Sequence, residues 1–289
     1  LSIYYAAVNQ TSAPCLELRD FQRICRLIER HAGIALGQSK HTMVYARLSK
    51  RLRALGFTRF GDYLDWLESG KNRDEWQAFI NALTTNLTAF FREEHHFQHL
   101  RQQLQTRQAT ASRPLKLWSC ATSTGEEAWS MAITACETFS SFNPPVRILA
   151  TDVNTQVLNS ARSGIYSQER LQGLDESLLR RYFLRGNNSH AGHYRVRPAL
   201  QALVEFRPLN LLSSRFSVAG PFAALFCRNV MIYFDKTTQR TVLSQLLAHM
   251  DEHSVLYTGH AENYLHAADL IMPCGRNVYR RAPITVSSV

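Results

Sequence analysis

Leu115-Lys116-Leu117-Trp118-Ser119-Cys120-Ala121-Thr122-Ser123-Thr124-Gly125-Glu126-Glu127 runs from an apolar segment, through a loop with one glycine, into a charged helix start. Leu115 to Ser119 reads as a short buried strand, and Gly125-Glu126-Glu127 opens a helix that continues through Met131 and Ile133. The alternation repeats downstream. Val146 to Thr151 is a strand ending at Asp152, with Val157 and Leu158 in the helix that follows. Phe222 to Cys227 is another buried strand, followed after Tyr233 by a helix carrying Val242, Leu243, Leu246 and Leu247. Val255 to Thr258 and Asn277 to Arg280 read as later strands. Strands alternating with helices predict an α/β domain with a mostly parallel sheet covered on both faces. Tyr182 to Pro198, with Gly186, Asn187, Asn188 and Gly192, reads as an inserted hairpin.

Upstream of Pro114 the texture is helical. Phe21, Ile24, Leu27 and Ile28 repeat at helical spacing and Gly33 stops the run. A second helix from about Ser39 carries Val44, Leu48, Leu52 and Leu55, with Gly56 as its cap. Two further amphipathic stretches centre on Tyr63 to Leu67 and Trp76 to Leu83. A polar helix follows Arg92 and runs into the Gln/Thr/Ser/Arg segment Gln102 to Arg113, which reads as a linker. The expected organisation is a helical domain over 16–90, a linker helix over 91–113, and an α/β domain over 114–289 with an inserted β-subdomain at about 180–200.

The 289 residues are 45% hydrophobic and 19% charged, so a large core is expected. No stretch approaches the ~20 apolar residues of a membrane span. Leu1 to Asn9 is apolar but lacks the basic start and cleavage pattern of a signal peptide, and the start at Leu1 reads as a trimmed one. The six scattered cysteines form no CxxC pair, so reduced thiols in a cytoplasmic protein are expected. The net charge of +10 implies an acidic partner: nucleic acid, an anionic membrane surface or an acidic protein.

Open parallel sheets bind ligands beyond the carboxyl ends of their strands. The loop 120–127 and the strand-end Asp152 are therefore the candidate cofactor site, and a carboxylate there can accept both ribose hydroxyls of an adenosine. A dinucleotide loop wants three glycines to wrap a pyrophosphate. This one has a single glycine and two glutamates, which would repel a pyrophosphate. S-adenosylmethionine carries an ammonium and a sulfonium instead, so the acidic loop favours it over NAD. Glu126 and Glu127 are equally readable as helix-dipole stabilisers in a first turn.

Five blocks carry a resemblance: Asn81-Ala-Leu-Thr-Thr-Asn-Leu-Thr-Ala-Phe-Phe-Arg-Glu93, Ser123-Thr-Gly-Glu-Glu127, Ala150-Thr-Asp152, Phe226-Cys-Arg-Asn-Val-Met-Ile-Tyr-Phe-Asp235 and Gly259-His-Ala-Glu-Asn263. Together, in this order and from about Leu18 onward, the chain resembles the CheR-type family of chemotaxis-receptor methyltransferases. The resemblance implies a small all-helical N-terminal domain, a linker, and a class I (Rossmann-like) methyltransferase domain with an inserted antiparallel β-subdomain. It implies methyl transfer from S-adenosylmethionine to receptor glutamates, giving methyl esters and S-adenosylhomocysteine. Carried over by position, the family's cofactor contacts fall on Asn86, Thr88, Arg92, Glu127, Asp152, Asn210, Leu211, Arg228 and Asn229. The sequence departs from the family at Ala128-Trp129, where proline usually follows the glutamates, at Thr122 and at Ala261.

A sulfonium methyl is already activated, and a glutamate carboxylate (pKa about 4.3) is ionised at neutral pH. No general base or covalent intermediate is needed, so catalysis should come from positioning. Arg92 and Tyr233 are the candidates to orient the carboxylate. A cation such as Arg92 is disfavoured at a helix start, so its presence there calls for another reason.

Between Arg30 and Gly61 stand seven basic residues and no acidic one. On the second helix Arg47, Lys50 and Arg51 share a face at i, i+3 and i+4, with Arg53 nearby. Glutamate-rich helices of methyl-accepting receptors are the expected partner. Membrane insertion and nucleic-acid binding are not expected, and the chain is expected to act as a monomer. The inserted subdomain in some family members grips a receptor's C-terminal peptide by strand addition.

Other signals are set aside. Asn143-Pro144-Pro145 precedes a strand and reads as a turn. Cys227 lacks a preceding proline and reads as a buried thiol. His260-Ala-Glu262 with Pro273-Cys274 lacks the second cysteine of a zinc deaminase, since residue 277 is Asn. His95 and His96 are adjacent on a helix, are expected to point apart, and are not read as a metal pair; no metal is expected. An RNA or small-molecule methyltransferase and a catalytically silent signalling scaffold remain as alternatives.

Overall fold

The structure, a computed structural model, describes residues 14–70, 72–108 and 113–283. They divide into two compact units after Thr84. Among the described residues no helix is long and apolar enough to cross a membrane.

The first unit holds α1 (Leu18–Ala32), α2 (His41–Leu55), α3 (Phe60–Glu68) and α4 (Arg73–Leu83). The apolar periodicity of each helix becomes its buried stripe: Ile24, Ile28, Val44, Leu48, Leu52 and Phe79 are almost fully withdrawn from solvent. Gly33 and Gly56 end α1 and α2 in the left-handed conformation at φ 71° and 78°. One carboxylate lies inside this core. Glu75 is 1% exposed and accepts from Arg51 Nε at 2.8 Å and from the Tyr63 hydroxyl at 2.9 Å. Burial, next to that carboxylate, pushes the Tyr63 phenol well up.

The second unit starts with α5 (His95–Gln108), then runs β1 (Leu115–Ser119), α6 (Glu126–Phe139), β2 (Val146–Asp152), α7 (Thr155–Ser163) and β3 (Ile165–Ser167). It continues through α8 (Glu176–Tyr182), β4 (Phe183–Arg185), β5 (His193–Val196), α9 (Pro198–Gln201) and β6 (Val204–Pro208). Its last elements are β7 (Ala224–Phe226), α10 (Lys236–Leu247), β8 (Val255–Tyr257), β9 (Ile271–Gly275) and β10 (Val278–Arg281). Seven strands form one sheet in the order β6-β2-β1-β7-β8-β10-β9, in which β10 runs antiparallel to β8 and β9 and the other pairs are parallel.

Successive strand residues enter opposite layers. Leu117, Ile148, Phe226 and Tyr257 pack in one core with α5 and α6, while Trp118, Leu149, Leu225 and Leu256 pack in the other with α10. Burial on both faces explains why these strands read as continuous apolar runs rather than alternating ones.

Three features depart from the sequence reading. The linker helix expected over 91–113 is present as α5, but its Phe97, Leu100 and Leu104 enter the core of the second unit. Three apolar positions on one stripe suffice to dock it, although its average hydropathy is low. The inserted hairpin β4–β5 is joined by β3, so the small sheet (order β3-β5-β4) begins at Ile165 rather than near residue 180. β9 carries Pro273, which a strand tolerates at a sheet edge; this strand and β6 are not evident from periodicity.

Candidate functional site

The parallel strands β1, β2, β6 and β7 end together, and their outgoing loops form the site. After β1 the chain turns sharply. Thr122 N–H donates to the Thr151 carbonyl at 2.9 Å, Ser123 takes φ 54°, and Gly125 takes φ 97°. A Cβ on Gly125 would stand 2.8 Å from Ala161 Cβ, so only glycine fits both the angle and the space.

This turn aims the Ser123 N–H at Asp152 Oδ2 (2.8 Å), while Asn154 N–H donates to Oδ1 (2.9 Å). Burial raises the Asp152 carboxyl, against the backbone donors that favour its ionised form. The Val153 N–H also acts on this carboxylate, so backbone donors from both flanking loops hold it in place. Two fixed acceptors on one carboxylate at a strand end fit a vicinal diol, as an adenosine ribose presents. The next strand end is tied to the same point, since Leu209 N–H donates to the Asp152 carbonyl at 3.0 Å. Asn210 then folds back so that its Oδ1 accepts from Leu212 N–H at 2.9 Å, and Leu211 is buried.

The two loop glutamates do not act as the sequence reading expects. Glu126 is buried, accepts from Thr124 Oγ1 at 2.7 Å, and is ion-paired with Arg170. Tyr166 of β3 donates its hydroxyl to the Thr124 carbonyl at 2.7 Å. The inserted subdomain therefore clamps the cofactor loop from outside. Glu127 accepts from Ser119 Oγ at 2.7 Å and from Arg228 Nη1 at 3.1 Å. Burial raises its pKa, while Arg228 and Ser119 act in the opposite direction. Both glutamates are thus neutralised by arginines of the same chain. Paired in this way, the two glutamates present little net negative charge to a ligand in the loop.

Arg228 follows β7 and is 5% exposed. Besides Glu127 it reaches Glu93 (3.5 Å) and donates through Nη2 to the Arg92 carbonyl. The Arg92 loop is thereby pinned to the strand that leads to Asn229 and Tyr233. Asn229 takes φ 57° against Gly259, where a Cβ would stand 2.2 Å from Asn229 Nδ2. Glu262 accepts from the N–H groups of Val230 (3.0 Å) and Met231 (2.9 Å), and from Gly259 N–H, so it fixes the loop that presents Asn229 and Tyr233. Burial pushes Glu262 up to about 7. Gly259 and Glu262 lie in a block that the sequence comparison marks, but nothing in spacing alone reveals their roles.

The two candidate orienting groups are held but uncommitted. Arg92 is half-buried, donates from Nη1 to the Leu87 carbonyl at 2.9 Å, and has no ion pair among the described residues. Tyr233 is half-buried in a tight turn closed by its own N–H to the Val230 carbonyl at 3.1 Å. Asn86 and Thr88 are half-buried on the segment before Phe90, which packs edge-on against Tyr166 and Phe183.

Two expectations are corrected. His95 and His96 do not point apart: their rings lie 4.2 Å apart and share a cluster with Glu93. The α5 backbone begins at His95, so the first-turn geometry leaves these rings on one side. In α2, Arg51 is turned onto Glu75, so it is not a free docking charge, whereas Arg47 Nη1 donates to the Thr84 carbonyl at 2.8 Å and has no ion pair among the described residues. The acids absent from the sequence around α2 are supplied by α4. Lys50 and Arg53 remain exposed. Cys227 is buried, and Val146 N–H closes the turn at Pro144, as the sequence indicated.

A family model described as CheR methyltransferase, SAM binding domain, matches residues 86–279, and one described as CheR methyltransferase, all-alpha domain, matches residues 19–84. Chemotaxis protein methyltransferase 2 of Pseudomonas aeruginosa is 48% identical over 263 residues, spanning 91% of this chain and 93% of its own. Chemotaxis protein methyltransferase of Escherichia coli is 48% identical over 272 residues, spanning 94% of each. Chemotaxis protein methyltransferase 1 of Vibrio cholerae is 37% identical over 257 residues, with 88% and 91% covered.

Proposed function

Since the chain belongs to the CheR methyltransferase family, we propose that it transfers a methyl group from S-adenosylmethionine to glutamate side chains of bacterial chemoreceptors, acting in the cytoplasm. The observation that carries the glutamate acceptor is Arg92. It is a half-buried guanidinium with no carboxylate of its own among the described residues, on a loop locked to Arg228. Such a group is poised for a carboxylate supplied from outside.

Bound S-adenosylmethionine supplies a methyl group activated by its sulfonium. Asp152 would hold the ribose hydroxyls, and Asn86, Thr88, Glu127, Asn210, Leu211 and Asn229 would contribute the remaining contacts. Arg92 and Tyr233 orient the glutamate carboxylate by hydrogen bonds. The acceptor is already an anion, so no residue takes a proton, and rate comes from alignment. One strong cation would oppose the loss of charge in the transition state. Arg92 divides its donors with the Leu87 carbonyl, and Tyr233 adds a neutral donor, which suits orientation without excess stabilisation of the reactant. Lys50 and Arg53 supply the charge that meets an acidic receptor helix.

The test is transfer of tritiated methyl to receptor-containing bacterial membranes, followed by mild alkali. Release of label as methanol identifies a carboxyl ester and supports this reading. Label that survives alkali places the methyl on nitrogen or a nucleobase and overturns it.

A further inference from the structure

The first turn of α5 holds a cluster that methyl transfer does not use. One ligand atom from each of Glu93, His95 and His96 lies within 4.8 Å of the other two. His96 is fully buried, and its Nε2 faces the Arg276 carbonyl at 3.3 Å. A carbonyl only accepts, so that nitrogen carries the proton and Nδ1 carries a lone pair. The lone pair faces Glu93 Oε2, a second acceptor, at 3.6 Å. Glu93 Oε2, His95 Nε2 and His96 Nδ1 are all buried and have no hydrogen-bond partner among the described residues. Buried polar atoms nearly always have one. Two acceptors facing each other repel unless a cation joins them.

We propose that Glu93, His95 and His96 form a binding site for a zinc ion. Two imidazole nitrogens and one carboxylate oxygen are a zinc ligand set that leaves a fourth position. Calcium and magnesium, which take oxygen ligands, do not suit it. With bonds of about 2.0–2.2 Å in a tetrahedron, ligand atoms stand roughly 3.3–3.5 Å apart. The Glu93–His96 pair is already near that spacing, and since all three atoms lie within 4.8 Å of one another, no pair needs to close by more than about 1.5 Å. The Nε2 contact of His96 with a backbone carbonyl is the outer partner that metal-bound histidines require.

Arg228 and His260 are the charged or titratable groups that face Glu93, and both approach the other oxygen, Oε1, at 3.5 and 3.3 Å. The Arg228 charge is also answered by Glu127 at 3.1 Å. Oε2 is left for the cation. Because Glu93 follows Arg92 directly, an ion here fixes the backbone of the loop that carries Arg92. The site stands whatever the methyl acceptor is.

The full chain, stripped with a chelator, is titrated with Zn2+ against a chromophoric competitor and with Co2+ as a spectroscopic probe. One equivalent should bind, and the cobalt form should show the visible bands of a four-coordinate ion with nitrogen and oxygen ligands. His95→Gln, at a half-buried position, should weaken binding by more than the roughly 10–100-fold typical of losing an outer partner. His96→Gln should do the same. Absence of cobalt bands in the unaltered chain overturns the proposal whether or not either variant folds. So does a sulfur-to-cobalt charge-transfer band, which would place the ion on cysteines, or affinity unchanged by His95→Gln.

Discussion

Arg228 Nη1 lies 3.1 Å from Glu127 Oε2, and the two side chains are only 2% and 10% exposed. Strands β1 and β7, each leading to one partner, are neighbours in the sheet, so the pair locks two site loops together. Arg228→Met strands Glu127 and Glu93 as buried carboxylates and should cost about 3–5 kcal/mol. Arg228→Met with Glu127→Leu should recover the part of that loss due to Glu127 in urea unfolding, with Glu93 still unpaired, because an apolar pair has no charge to desolvate. Cofactor binding should stay lost in the double variant. A double variant as unstable as the single one would show that the pair is not the origin of the cost.

Asp152→Ala should lower S-adenosylmethionine affinity by more than about 100-fold, the size of two hydrogen bonds to a charged group. Isothermal calorimetry reads this directly. Near-normal affinity would refute the assignment of Asp152 to the ribose. A parallel thermal melt separates this from unfolding, since Ser123 and Asn154 also lose their acceptor.

The basic residues of α2 should separate into two behaviours. Arg51→Ala should destabilise the helical unit by about 2–3 kcal/mol, less than a fully buried pair because Arg51 is 36% exposed. Lys50→Glu with Arg53→Glu should leave stability unchanged and raise the receptor KM roughly tenfold, an effect that weakens as salt rises. Initial rates at low and high ionic strength check this. Equal KM effects from all four positions would restore the single docking face that the sequence suggested.

Asp251 should contribute to acid stability. Burial raises its carboxyl, but hydrogen bonds from Arg107 and Ser254 outweigh this and bring it down to about 2. The folded pKa is below the unfolded value of about 3.9. Its contribution is therefore present above pH ~4 and disappears as pH falls toward 2. Asp251→Asn should cost about 1 kcal/mol at pH 6, modest because the pair is partly solvated. The difference from the unaltered chain should vanish near pH 2 in denaturant titrations. A gap that persists there would mean the loss is not electrostatic.

The parallel sheet and the helical first unit were legible because their signals are local. Leu115–Ser119 and Val146–Asp152 are apolar runs followed by helix starts, and Gly33 and Gly56 stop helices that their own sequence encodes. α5 was less legible: a stripe of Phe97, Leu100 and Leu104 looks like a polar linker until α6 is placed beside it. Charge was the least legible property. Glu126, Glu127 and Arg51 read as free charges in sequence, yet their partners Arg170, Arg228 and Glu75 lie 44, 101 and 24 positions away.

The sequence by itself determined the alternation of the main strands and helices, the single-glycine loop before α6, the carboxylate at the end of β2, and the family to which five spaced blocks belong. Those properties follow from backbone sterics and from periodicity within a few turns. Only the tertiary structure decided which charges are spent on each other, that the small sheet clamps the loop through Tyr166 and Arg170, and that Glu93 meets two histidines across the first turn of α5. Ion pairing and ligand convergence depend on through-space distance, and it is the folded sheet, not the order of residues, that sets those distances.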